Sequence, residues 1–174
     1  MDLLNLMQNR RSIRKYSGEP VPEKALEQVL QAGMLSPSGH ALRPWELIVV
    51  RNRETLDALS RCKAGAAQML RGADCAVAVI GDPDRSDVWI EDCAAVMTNM
   101  HLMAHALGLG SCWVQGRLRE APDGRETEEY VRDLLGFPKH FKLLAILSIG
   151  IPESSLKSRT LDQLPAEKIH WEHF

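Results

Sequence analysis

The sequence has no phosphate loop of the form G-x-x-x-x-G-K-[ST] and no G-x-S-x-G nucleophile elbow. Gly108-Leu109-Gly110 begins like a dinucleotide turn, but Trp113 stands where the third glycine belongs. Those glycines also follow a helical pattern and precede a strand, the reverse of the dinucleotide-binding order. A nicotinamide nucleotide, if used, is therefore not gripped in the usual way. The four cysteines, Cys62, Cys75, Cys93 and Cys112, form no C-x-x-C pair. A zinc site is not expected, and their apolar surroundings suit reduced, buried thiols in a cytoplasmic protein. His101 and His105 have metal-ligand spacing, but no glutamate follows His101 and no third ligand falls at helical spacing, so no metal is expected. Cys112 has no base beside it that its position identifies. A net charge of -2 excludes a general nucleic-acid binder. No apolar run is long enough to span a bilayer, and the opening residues turn polar too soon for a signal peptide.

What is present reads as one domain over residues 1–174, with 45% hydrophobic residues to build a core. Helices are expected at 3–9, from Pro22 to before Pro37, at 54–61, 65–71, 87–107 and 126–135. Strands are expected at 46–50, 75–80, 111–115 and 143–149. The run at 75–80 is apolar at every position, the pattern of a strand buried on both faces. The 87–107 helix is apolar nearly all round, more than so small a domain is expected to bury alone. Alternating helices and strands give an α/β or α+β sandwich. Residues 160–174 form an arm without periodicity, carrying Leu161, Leu164, Ile169, Trp171 and Phe174.

The chemistry lies in the cations. Arg10-Arg11-Ser12-Ile13-Arg14-Lys15-Tyr16 puts four cations and a short hydroxyl into seven residues, and Lys157-Ser158-Arg159 repeats the pattern far away. On a near-neutral chain, two such clusters suit one small phosphate rather than a polyanion. Arginine offers a planar fork to phosphate oxygens and lysine a point charge.

With Ser36-Pro37-Ser38, Pro44-Trp45 and Gly108-Leu109-Gly110-Ser111-Cys112-Trp113 between them, in this order, these segments resemble the nitroreductase family of FMN-dependent oxidoreductases. The resemblance runs essentially from end to end. It implies an α+β fold, a mainly antiparallel central sheet flanked by helices with an extended C-terminal arm. It implies FMN, with Arg10, Ser12, Lys157 and Arg159 on the phosphate and ribityl chain and Arg11 beside them. Arg14 matches a cation at the N1–C2=O edge, where it would stabilise the negative charge that reduction puts there. Pro37, Ser38 and Gly39 match the loop against the ring. Val114, Gln115 and Gly116 match a segment whose backbone N–H groups approach N5 and O4. NADH or NADPH would be the donor and a nitroaromatic or quinone the acceptor, in a ping-pong reaction. The family further implies a homodimer with flavin sites at the interface. Residues 160–174 would pack on the partner and carry Lys157 and Arg159 to the phosphate.

Two positions depart from the family. Members often carry P-S-x-x-N-x-Q-P-W, and here Ala41 and Arg43 stand at the asparagine and glutamine places. His40 and Arg43 then become the nearest polar side chains for a substrate, with Trp89 directed at the same pocket. Those replacements leave room for a flavin-binding protein without turnover, serving storage, sensing or electron relay. A flavin-dependent dehalogenase of the same fold is a third reading. The short 81–91 segment, too short for a long lid, speaks against it.

Overall fold

The computed structural model describes residues 2–174. One antiparallel sheet runs in the order β1-β2-β4-β3, with β1 at Trp45–Val50, β2 at Cys75–Gly81, β3 at Gly110–Gln115 and β4 at Lys142–Gly150. Every residue of β2 is buried. Period-two alternation divides the central strands between two cores. Val77, Val79, Leu147 and Ile149 meet helices α2 (Glu23–Met34) and α5 (Trp89–Ala106). Ala76, Ala78, Ile80 and Ile146 meet α3 (Arg53–Leu59), α4 (Met69–Gly72) and α6 (Thr127–Leu135) on the other face. This is a three-layer α+β sandwich. No helix among the described residues is long and apolar enough to cross a membrane.

One expectation needs correction. The helix expected at 65–71 begins only at Met69. Gly65 sits at φ +73, the left-handed region, and residues before Met69 form turns. In the long helix Glu91 and Thr98 are exposed, the residues facing the sheet and α2 are buried, and Ile90, Ala94, Leu102 and Met103 among others are only half-buried.

The N-terminal segment positions the site. α1 (Leu3–Asn9) is capped by Asp2, whose carboxylate accepts from the Leu4 N–H at 3.1 Å. The chain then lies along the free edge of β3. Ser12 bridges Ser111 in parallel, and the Ile13 N–H donates to the Ser111 carbonyl at 2.9 Å. Gly110 permits this approach, since a Cβ there would lie 2.7 Å from Ile13 Cγ2. The Tyr16 hydroxyl closes the segment, bonded to the Ile13 carbonyl at 2.9 Å and to Ser148 Oγ at 2.7 Å. Arg10 to Arg14 are thus fastened to the sheet.

Every residue of 153–174 is exposed. The start of this stretch still touches the body: the Glu153 N–H donates to the Lys15 carbonyl at 3.2 Å and the Arg159 N–H to the Gln8 carbonyl at 3.3 Å. Among the described residues the hydrogen bonds of 160–174 all run within the segment.

A candidate cofactor site at the sheet edge

Arg10, Arg11 and Arg159 come together at the end of α1. Arg11 donates to the Lys157 carbonyl, Ser158 Oγ to Asn9 Oδ1, and the Arg159 N–H to Gln8. The Arg10 guanidinium is pushed below its ordinary value, first by burial and then by the like charges of Arg159 and Arg11. These contacts lie within one chain.

These cations are free of carboxylates. Among the described residues the ion pairs join Arg51 to Asp74, Arg61 and Arg71 to Asp57, Arg125 to Asp123 and Asp133, and Arg132 and Lys142 to Glu128. None uses Arg10, Arg11, Arg14, Lys157 or Arg159. Arg10, Arg11 and Arg159, close enough to repel one another and without an acid partner, make a candidate anion site, with Lys157 and Arg14 on the same two segments. The donor set fits a terminal monophosphate.

Arg10 Nη1 lies 2.8 Å from His101 Nε2 on α5. Arginine only donates, so Nε2 accepts and the ring proton is on Nδ1, which donates to Ser111 Oγ. Burial, then Arg10 and His105, hold the His101 pKa down at about 4, so the ring is neutral near pH 7. Arg14 stays on the surface, its Nη1 donating to the Ser12 carbonyl at 3.4 Å.

The loop at 36–43 is held by a residue the sequence did not single out. Buried Asp92 on α5 accepts from the Gly39 N–H at 2.9 Å and from Ser86 Oγ at 3.2 Å. Gly39 has no room for a side chain, because a Cβ would meet Val88 Cγ2 at 2.7 Å. Ser38 Oγ accepts from the Arg43 N–H at 3.0 Å, and Asn99 donates to Ser36 Oγ at 2.8 Å. His40, Ala41 and Arg43 all take positive φ, at 49°, 57° and 48°. Three non-glycine residues in that region store strain that the surrounding bonds hold. The side chains of His40 and Arg43 are exposed. Asp92→Asn should cost about 0.5–1.5 kcal/mol of stability, the worth of a typical hydrogen bond. Urea unfolding measures it, and an unchanged midpoint would mean that the loop is anchored by something else.

This loop and the cations do not share a cavity in one chain. Asp92 and His101 are nine residues apart on α5, or about two and a half turns. They therefore project to opposite sides of the helix, one holding the loop and the other Arg10.

The 114–116 segment follows β3 away from the cations. The Gly116 N–H is spent on the Leu144 carbonyl at 3.1 Å. In this register Val114 also turns its N–H to β4, paired with Ile146, while Trp113 and Gln115 face the edge. Of the three residues expected to offer a backbone donor, Gln115 alone does so. Its side chain is engaged locally, accepting from Trp113 Nε1 at 2.9 Å and donating to the Arg117 carbonyl at 3.0 Å. Beside Gly116 opens a cleft of about 790 Å³ that Trp89 also lines, with Lys63, Arg117 and Arg119. Trp89 is only 8% exposed, so it is a wall of this cleft and not a surface aromatic.

The chain is thus an α+β sandwich with a cluster of unpaired cations at its sheet edge and no dinucleotide turn in its sequence. Comparison with known proteins makes this particular. The nitroreductase family profile matches residues 7–67 and 58–151. An Archaeoglobus fulgidus protein with the provisional name NADH dehydrogenase/NAD(P)H nitroreductase is 37% identical over 156 residues, covering 87% of this chain and 86% of its own. The structure of an FMN-dependent nitroreductase from Clostridium difficile R20291 superimposes with a TM-score of 0.96 at 38% identity, over 98% of this chain and 99% of that one. A Desulfovibrio desulfuricans structure, provisionally a nitroreductase and solved in complex with FMN, gives 0.79 at 28% identity, covering 100% and 98%. The chain belongs to the nitroreductase family, FMN-dependent NAD(P)H oxidoreductases.

Proposed function

We propose that this protein passes a hydride from NADH or NADPH, through FMN, to a small acceptor such as a nitroaromatic or a quinone, the donor leaving before the acceptor enters. The observation that carries the reading is the group of cations without carboxylate partners on the 10–14 segment beside β3 and on the 157–159 stretch that meets it. Arg10, Ser12, Lys157 and Arg159 would hold the phosphate and ribityl chain, with Arg11 beside them. Arg14 and the outward Gln115 N–H would serve the ring. When bound, FMN supplies the redox chemistry, and the chain supplies position and field. No protein nucleophile is required.

The opposite placement of loop and cations supports a homodimer. Pro37, Ser38 and Gly39 of one subunit would cover a ring held by the cations of the other, with His40, Arg43 and Trp89 near the acceptor. Met34 and Leu35, exposed beside the loop, suit burial against a partner. Four free, buried thiols suit a cytoplasmic location.

The test is an absorbance spectrum of the purified protein, chromatography of the released flavin, and anaerobic addition of NADH and NADPH separately. FMN bleached by at least one nicotinamide, and reoxidised by a quinone, is expected. FAD, or no flavin after reconstitution, would sink the cofactor assignment. FMN that neither donor reduces would favour a flavin-binding protein without turnover.

A further inference from the structure

We propose that His101 is the positioning residue of the phosphate site: it holds the Arg10 guanidinium in place before the cofactor arrives, and Ser111 holds His101 in the tautomer that can do so. The inference rests on the reading of Arg10 as a phosphate-binding cation.

The five free cations are not held alike. Lys157 and Arg159 lie on an exposed stretch of chain. Arg11 and Arg14 donate to backbone carbonyls of exposed or half-buried segments. Arg10 alone is fixed by a side chain, and that side chain is buried in the body: His101 is 8% exposed on α5 and Ser111 2% exposed on β3. A long side chain loses rotamer freedom when it closes on an anion, and one already held loses less. The Arg10–His101–Ser111 chain therefore ties one phosphate ligand to the rigid helix–sheet core and leaves the others to adapt.

The choice of histidine has its own logic. A carboxylate at position 101 would hold Arg10 as firmly, but it would cancel the charge that the phosphate needs. A neutral imidazole accepts the hydrogen bond and leaves the cation whole. The groups facing the ring are Arg10, His105 and Ser111, and the two charged or titratable ones both favour the neutral ring. The four-residue spacing of His101 and His105, which resembles a metal pair, thus has a use without a metal: the ring of His101 is committed to Arg10 and Ser111.

The test measures FMN release from the holoprotein on dilution, followed by flavin fluorescence. His101→Leu should raise the FMN Kd about tenfold, the loss of one hydrogen bond to a charged group. His101→Gln, a neutral acceptor, should restore most of that affinity, whereas His101→Glu should not. In an Arg10→Ala background His101→Leu should change little, because the cation it positions is gone. Should His101→Leu fail to fold, Ser111→Ala keeps the ring, frees its tautomer and should still weaken binding. An unchanged Kd in folded His101→Leu, or an equal loss with and without Arg10, would overturn the positioning role while leaving the phosphate site intact. If Arg10→Ala itself leaves the Kd unchanged, the phosphate reading of Arg10 falls and the inference falls with it.

Discussion

Arg10→Ala and Arg159→Ala will each weaken FMN binding by about 1.5–3 kcal/mol, about ten- to a hundredfold in Kd, the range for hydrogen bonds to charged groups. No carboxylate competes for either guanidinium, so their charge is available to a ligand in full. The Arg10 guanidinium is held below its ordinary value first by burial and then by the like charges of Arg159 and Arg11. A phosphate dianion placed between them relieves that repulsion. Lysine at either position should restore only part of the affinity, because it lacks the planar fork. The two sites should differ in salt dependence. Arg159 is exposed, so its contribution is screened by added salt, while the half-buried Arg10 is screened less. Fluorescence titration of reconstituted protein at low and high salt measures both. Arg51→Ala serves as the control, since Arg51 is paired with Asp74. A control loss equal to that of Arg10→Ala, or no loss at either site, would remove the cation cluster from the cofactor.

The sequence carried the layers better than it carried the inward-facing polar residues that anchor the site segments. Strand β2 was readable because six apolar residues without polar alternation have few places to go except between two layers. The cations were readable because charge is local information. Asp92 and His101 were not, because both sit on a helix that is apolar nearly all round, where periodicity does not say which polar residue faces inward. His101 drew attention only through its spacing to His105. Which backbone N–H of 114–116 points outward was hidden for a different reason. Whether Val114, Gln115 or Gly116 faces the edge is a matter of strand register, and a shift of one residue reverses it. The antiparallel order of the sheet likewise came from the family resemblance, since alternating helices and strands are equally compatible with parallel pairing. The helix expected at 65–71 failed at Gly65, whose positive φ the composition of that window did not reveal.

Deleting residues 160–174 is expected to abolish the dimer and, with it, tight FMN binding. Among the described residues the segment makes hydrogen bonds only with itself, yet it carries Leu161, Leu164, Ile169, Trp171 and Phe174, all exposed, with Trp171 at 86%. Burying each such side chain is worth about 1.5–3 kcal/mol, offset by the ordering of chain that would otherwise stay mobile. Leu3, Leu4 and Met7 on α1 are exposed as well and offer a matching apolar surface. The truncation separates two effects that a larger cut would merge. Lys157, Ser158 and Arg159 are anchored to Gln8, Asn9 and Arg11 of their own chain, so the shortened protein should keep the cations proposed for the phosphate. On the shared-site proposal it would lose the partner, and with the partner the 36–43 loop that α5 places on the far side from Arg10 within one chain. FMN affinity should therefore fall further than in either arginine variant, while the residual binding stays dependent on Arg10. Light scattering and flavin fluorescence on the same samples decide the matter. A truncated protein that remains dimeric would confine the arm to a local role. A truncated monomer that keeps full FMN affinity would mean that one chain builds the whole site, and the shared-site reading would have to be given up.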